Sequence, residues 1–216
     1  MIELIVKAVL AYLLGSVLGS LVVGRLRGGV DIRTLGSGNA GGTNALRTQG
    51  KVFAFWVMVV DIGKGWLAAG PLAAASLPGM SAAPPWRVWS AAVCGIAVIL
   101  GHIYPLWYGF KGGKGVATLI GAVLGAAPLL LLPMLAVWLA TAVLSGYVGL
   151  ASMLGALALT VAAALDGYAG RPLLPFFLFS AALIVFTHRS NIARMRAGTE
   201  PRARRLWLLG ARARFH

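Results

Sequence analysis

Two glycine-rich stretches hold the residue types that anion chemistry requires. The first, D-I-R-T-L-G-S-G-N-A-G-G-T-N-A-L-R, runs from Asp31 to Arg47. Gly36, Gly38, Gly41 and Gly42 permit positive φ, and successive N–H groups in such a loop form an anion-binding nest. Ser37, Asn39, Thr43 and Asn44 add neutral donors, and Arg47 adds a planar fork suited to phosphate. The same composition also serves as a plain connector between helices. The second stretch, G-F-K-G-G-K-G, runs from Gly109 to Gly115 and precedes an expected helix start. A helix N-terminus behind Gly112, Gly113 and Gly115, with Lys111 and Lys114, is a phosphate site by geometry. The alternative is a basic loop that only orients the chain. It is not a Walker A loop, because three residues separate Gly109 from Gly113 where four are needed, and Gly115 stands where Ser or Thr belongs.

Isolated polar residues carry weaker signals. Ser152 suits helix packing as a small residue. His188 ends an apolar run and Asn191 follows one helical turn later; by itself such a pair is usually interfacial decoration, and His102 in G-H-I-Y-P has the same standing. Asp61 and Lys64 lie deep in an apolar run at i, i+3 spacing, which lets them pair on one face, as intramembrane charges require. They form either a structural pair or a support beneath a site.

The elements that position these residues follow from composition. The chain has 216 residues, 59% hydrophobic and 11% charged, where a soluble domain carries about 25% charged residues. A multi-spanning membrane protein is expected, all-α and a single membrane domain over 1–216. Lys+Arg 19 against Asp+Glu 5 gives +14, which in a soluble protein would suggest nucleic acid. Here the cations sit between or after apolar runs, so they orient the chain against a membrane and no nucleic acid is expected. The single cysteine, Cys94, excludes an internal disulfide and a cysteine metal cluster, and neither metal nor cofactor is expected. The first apolar run lacks a small-residue cleavage site and reads as a retained span.

Apolar runs cover Ile2–Val23, Phe53–Ser76, Val88–Tyr108 and Pro172–Thr187, and Gly115–Leu165 carries no charge. Most cations fall in three segments: 24–51, the 109–115 loop, and the tail 188–216. Only Arg87 and Arg171 lie in the opposite loops. The three basic segments are therefore cytoplasmic and the N-terminus is outside. The uncharged run must then cross an odd number of times. Three crossings of about fifteen residues, turning near Leu132–Pro133 and Gly146–Leu150, give a polytopic bundle of about seven helices. Five spans plus a re-entrant pair is the alternative. In the tail, arginines bracket Leu206–Leu209, a pattern suited to anionic lipid headgroups.

Together these segments resemble the bacterial membrane glycerol-3-phosphate acyltransferase family that uses acyl phosphate. Ser37–Arg47 is similar to its first motif, with Ala40 where proline is common and Gly42 where alanine is common. Gly101-His102 through Gly112-Gly113-Lys114-Gly115 resembles the second. His188-x-x-Asn191-Ile192, followed by Gly198 and Glu200, resembles the third, with Arg189-Ser190 replacing a basic-acidic pair. D-I-G-K-G from Asp61 to Gly65 is a further match. The blocks cover nearly the whole chain.

The resemblance implies a seven-helix bundle in the bacterial inner membrane with its site facing the cytoplasm. It implies acyl transfer from acyl phosphate to the 1-hydroxyl of glycerol 3-phosphate, giving lysophosphatidate and phosphate. A functional link to the enzyme that makes acyl phosphate follows, with membrane lipids as the other partners. The matched positions carry roles onto Ser37, Thr43, Arg47, Lys114, Ser152, His188 and Asn191. Ser37, Arg47, His188 and Asn191 are expected to be catalytic. Gly38, Asn39, Gly41, Gly42, Thr43, Asn44, Gly112, Gly113, Lys114, Gly115 and Ser152 are expected to bind substrate. The acceptor's proton passes to the donor's phosphate or to His188; the phosphate is favoured because no carboxylate adjoins His188. A transporter of phosphorylated metabolites would instead predict matching broken halves with polar groups near midplane, and no such repeat is present.

Cysteine labelling in intact cells tests the topology. With Cys94 replaced, Gly170→Cys is expected to react with an impermeant thiol reagent and Thr199→Cys to be protected; reaction at Thr199→Cys would overturn the orientation.

Overall fold

The computed structural model describes residues 1–77, 85–165, 167, 172–203 and 206–208. The outer loop expected at Asp166–Arg171, apart from Gly167, and the tail residues Arg204, Arg205, Leu209, Arg212 and Arg214 lie outside the described residues. The described residues are helical, with no strand among them. The chain divides into two compact units, Met1–Pro128 and Leu129–His216.

In the first unit, the expected single run Ile2–Val23 is two helices, α1 (Ile2–Gly15) and α2 (Gly19–Leu26), bent by 45°. Helix ends in an apolar medium need partners for their orphan backbone groups. Here they come from the expected Asp61–Lys64 pair, which forms at 2.9 Å. Lys64 Nζ donates to the Gly15 and Val17 carbonyls at 2.9 and 2.7 Å, and Asp61 Oδ1 accepts from Gly19 N at 3.1 Å. The cation therefore sits at the carbonyl end of α1 and the anion at the N–H end of α2, the arrangement that helix dipoles favour.

Helix α3 (Gly42–Leu67) is broken at Gly50, whose φ of 84° and ψ of −175° separate a short helix at 42–49 from the apolar length beyond. A wide π turn around Pro71 (Ala68–Leu72) extends it. Helices α4 (Ser90–Ile103) and α5 (Val116–Ala126) complete the unit. Close helix approach uses small residues, as interfaces between membrane helices do. Gly15 lies against the Val98 carbonyl and Gly101 against that of Tyr12; Gly65 meets the Thr118 carbonyl and Gly121 that of Ile62. A buried core of Val23, Ile32, Ala45, Phe53, Ala54 and Val57 underlies the first glycine loop. At the far end, Glu3 and Lys7 form a buried pair at 3.0 Å, with Lys7 Nζ donating to Ala73 O.

The second unit contains α6 (Leu131–Ser145), α7 (Val148–Leu165), α8 (Leu173–Thr187) and α9 (Arg189–Arg196), the last two bent by 50°. The turn expected at Leu132–Pro133 falls earlier, between the end of α5 at Ala126 and Leu131. Pro133 is third in α6, where a missing N–H costs nothing, and Pro128 is the residue that cannot continue α5. The second turn lies where expected, with Gly146 in the left-handed region at φ +74°. The tail folds back on this turn. Arg202 stacks 4.7 Å from the Tyr147 ring and 4.0 Å from that of Trp207, and Ala203 N donates to Gly146 O. Trp207 thus packs on protein, while Leu206 and Leu208 stay exposed.

Among the described residues, four helical segments are long and apolar enough to cross a membrane, or six if each bent pair is one span; α5 is a shorter apolar helix. Their outward faces carry large apolar side chains such as Leu132, Leu139 and Leu144, as lipid contact requires.

Gly101→Val would drive a side chain into the Tyr12 carbonyl. It is expected to destabilise the protein by about 1–3 kcal/mol, the usual cost of overpacking, while Gly63→Ala, in a helix with open space around it, changes packing little. Thermal unfolding in detergent compares them; equal midpoints would refute the close approach.

Candidate active site

The first loop is organised around Asn44, which is buried at 2% exposure. Its Nδ2 donates to the carbonyls of Ile32, Leu35 and Asn39 at 2.9–3.0 Å, and its Oδ1 accepts from Ser37 N at 2.9 Å. Asn44 was expected to face an anion, yet its amide is engaged in shaping the loop. Gly36 has φ +58° and lies so close to Asn44 Oδ1 that a Cβ would collide with it; only glycine fits on both counts. Asn39 Oδ1 accepts from Gly41 N at 2.9 Å. The Gly42 and Thr43 N–H groups, first in α3, have no acceptor among the described residues. Ser37, Thr43 and Arg47 are exposed around them, and Thr43 and Arg47, four apart, share a face. Arg47 has no ion-pair partner among the described residues. Gly38 at φ +71°, two open amides, hydroxyls and a guanidinium are the groups that an anion cradle requires.

The second loop hangs from the end of α4. Gly112 N donates to Ile103 O and Gly113 N to His102 O, each at 3.1 Å. Gly115, at φ +88°, caps α5, and half-buried Lys114 precedes it at that helix's N-terminus.

Arg33, read from sequence only as one of several loop cations, joins the two loops. Its Nε and Nη2 grip Asp31 at 3.0 and 2.8 Å, while Nη1 donates to the carbonyls of Tyr108 and Lys111 at 3.3 and 3.1 Å. Hydrogen bonding to Arg33 holds the Asp31 carboxyl below the usual carboxylate range and raises the Arg33 guanidinium above its ordinary value. The spacing D-x-R signals the local pair, but the carbonyls it reaches lie some 75 residues on and leave no trace in sequence.

In the second unit, His188 ends α8 and caps α9, buried at 4% exposure. Its Nδ1 lies 2.8 Å from Ile184 O. A carbonyl only accepts, so Nδ1 carries a proton. Asn191 Nδ2 donates to Glu200 Oε1 at 2.6 Å, and Arg194 Nε holds Oε2 at 2.6 Å. Gly149, at the start of α7, packs directly on the Asn191 amide. Ser152, one turn further along α7, is buried; its hydroxyl donates to Val148 O at 2.9 Å and lies 3.4 Å from Trp138 Nε1. Glu200 was seen in the sequence only as a motif position; its hold on Asn191 comes from the turn after α9.

Asn44→Ala leaves the Ser37 amide and the Asn39 carbonyl without these partners and removes a second donor from the Ile32 and Leu35 carbonyls, and is expected to cost about 2 kcal/mol of stability; Ser37→Ala should cost little. Thermal unfolding separates them, and equal losses would refute the organising role of Asn44. The Asp31 bracket, with its carboxyl lowered, is fully formed above the ordinary carboxylate range and is lost only as pH falls through the lowered value. Asp31→Asn is therefore expected to leave the shape of the pH–activity profile from pH 5 to 8 unchanged.

Comparison with known proteins agrees with this geometry. The sequence profile of the glycerol-3-phosphate acyltransferase family matches residues 5–198. The glycerol-3-phosphate acyltransferase of Sinorhizobium fredii is 41% identical over 191 residues, covering 88% of each chain. That of Bordetella pertussis is 43% identical over 199 residues, covering 90% of this chain and 89% of its own. Crystal structures of PlsY (YgiH), an integral membrane glycerol 3-phosphate acyltransferase, superpose with TM-scores of 0.81 (glycerol 3-phosphate form) and 0.80 (lysophosphatidic acid form). Both are 37% identical and cover 92% of this chain and 94% of theirs. Two glycine loops on an apolar helical scaffold, with likeness along nearly the full length, lead to one conclusion: the chain belongs to the glycerol-3-phosphate acyltransferase family and is an integral membrane acyltransferase.

Proposed function

We propose that the chain transfers a fatty acyl group from acyl phosphate to the 1-hydroxyl of sn-glycerol 3-phosphate, giving lysophosphatidate and inorganic phosphate. The observation that carries this reading is the Arg33 bracket, which fastens the glycine–arginine loop to the glycine–lysine loop. A reaction between two phosphate-bearing substrates needs two anion cradles held together, and a simple connector does not. The PlsY structures named for glycerol 3-phosphate and lysophosphatidic acid support the acceptor and product. The acyl phosphate donor rests on the family resemblance, which also assigns a functional link to the enzyme that makes it.

In this scheme the acceptor oxygen attacks the acyl carbonyl carbon, the bond from that carbon to the phosphate oxygen breaks, and phosphate departs. Fixing both substrates supplies proximity. The Ser37 hydroxyl and the open Gly42 and Thr43 amides stabilise the developing oxyanion. Arg47 and Lys114 hold phosphates. The leaving group is good, so no covalent enzyme intermediate is needed. His188 and Asn191 orient the acceptor, and its proton leaves with phosphate. Counting each bent pair as one span and α5 as a short seventh is compatible with seven crossings, and the positive-inside bias of the basic segments supports an outside N-terminus and a cytoplasmic site in a bacterial inner membrane.

Purified protein with labelled glycerol 3-phosphate, offered acyl phosphate, acyl-CoA or acyl carrier protein separately, tests the reading. Transfer from acyl phosphate alone is expected; transfer only from a thioester would overturn the donor. Lys114→Ala is expected to raise the KM of one phosphate-bearing substrate, and Ser37→Ala to lower kcat. Arg47→Lys keeps the charge but loses the fork, and should cost well over tenfold in kcat/KM, about 1.4 kcal/mol or more. Arg25→Lys should be nearly silent, and equal activity of the two Lys variants would refute the clamp.

A further inference from the structure

Three buried side chains, Asp61, Lys64 and His102, play no part in the scheme above, yet they lie directly beneath it. His102 Nδ1 is 2.9 Å from Lys64 Nζ and 3.4 Å from Asp61 Oδ1, and the ring is 2% exposed. His102 Nδ1 thus faces both members of the ion pair, which hold the ring from one side whichever ring nitrogen carries the proton. The far edge of the ring faces the glycine–lysine loop. A Cβ on Gly113 would collide with His102 Nε2 and lie 2.9 and 3.0 Å from Cε1 and Cδ2. The loop is therefore bonded to the last turn of α4 through Gly112 and Gly113 and rests on the imidazole through Gly113. The ring's rotation is set from below by Lys64, itself anchored by Asp61 and the α1 carbonyls.

We propose that His102 is a positioning residue for phosphate binding by the Gly112–Gly115 loop, its ring held by the Asp61–Lys64 pair, with Gly113 required because the imidazole occupies the place of a side chain. The proposal rests on the reading that this loop holds a substrate phosphate. His102 touches no reacting atom; it sets the height of the loop and with it the aim of Lys114.

The test is a set of steady-state measurements on full-length protein in detergent, with KM determined for both glycerol 3-phosphate and acyl phosphate. His102→Asn keeps an acceptor near the Nδ1 position and vacates the space under Gly113. It is expected to raise one of the two KM values tenfold or more, the same one that Lys114→Ala raises, with kcat within threefold. Gly113→Ala should raise the same KM in the wild-type background. Joined to His102→Asn it should add less than threefold, because the methyl then has room; joined to His102→Gln, which refills the space near Nε2, it should regain its full effect. Lys64→Arg, which keeps the charge but displaces the ring, is the second route and should raise that KM at least fivefold if His102→Asn does not fold. Unchanged KM values in both His102→Asn and Lys64→Arg, or a Gly113→Ala effect equal in every background, would overturn the proposal. Failure of the wild-type protein to acylate glycerol 3-phosphate with any donor would instead overturn the functional reading on which it rests.

Discussion

Everything in the first unit depends on how a broken helix is tolerated in an apolar medium. The chain breaks between Gly15 and Gly19, and the exposed carbonyls and amide would each cost several kcal/mol in hydrocarbon without partners. Lys64 takes the Gly15 and Val17 carbonyls, and Asp61 takes the Gly19 amide. Because the break is satisfied, α2 can leave the axis of α1 by 45° and bring Val23 under the first loop, where it meets Ile32, Ala45 and Phe53. The same ammonium holds His102, and His102 supports the second loop. One ion pair thus underlies both glycine loops. Removing either partner leaves a buried charge uncompensated, which is far costlier than never having had the pair.

Glycine does two separate jobs here. Within helices it allows close approach, as at Gly15, Gly101, Gly65 and Gly121, so short and thinly packed helices still form a tight unit. Within loops it permits the positive φ of Gly36, Gly38 and Gly115, with Asn44 and Arg33 supplying the rigidity that glycine lacks. The second unit solves the same problem by other means: the His188 ring is set by the Ile184 carbonyl, and the Asn191 amide by a carboxylate that Arg194 neutralises.

Much of this was legible in the sequence because it is local. The apolar runs, the glycine-rich loops, the turn at Gly146 and the i, i+3 pairing of Asp61 with Lys64 all follow from neighbouring residues. The turn before α6 was misplaced because Pro133 looks like a break but is harmless in a first helical turn, whereas Pro128 ends α5. Contacts over long separations were not legible. Arg33 reaching Tyr108 and Lys111, Lys7 reaching Ala73, and Lys64 reaching His102 depend on which helices pack together. Asn44 was read as a ligand because an amide's chemistry is visible in sequence while its direction is not. Glu200 holding Asn191 required the tight turn after α9.

Amide hydrogen exchange measured by mass spectrometry on Asp61→Asn and wild-type protein tests the dependence on the ion pair most directly. The amides of Gly112 and Gly113, bonded to the end of α4, and that of Gly19, bonded to Asp61 itself, are the reporters. The variant is expected to exchange at least tenfold faster at all three, and peptides from α7 and α8 to exchange as in wild type. Faster exchange at Gly19 with Gly112 and Gly113 unchanged would contradict the claim that one buried pair supports both loops.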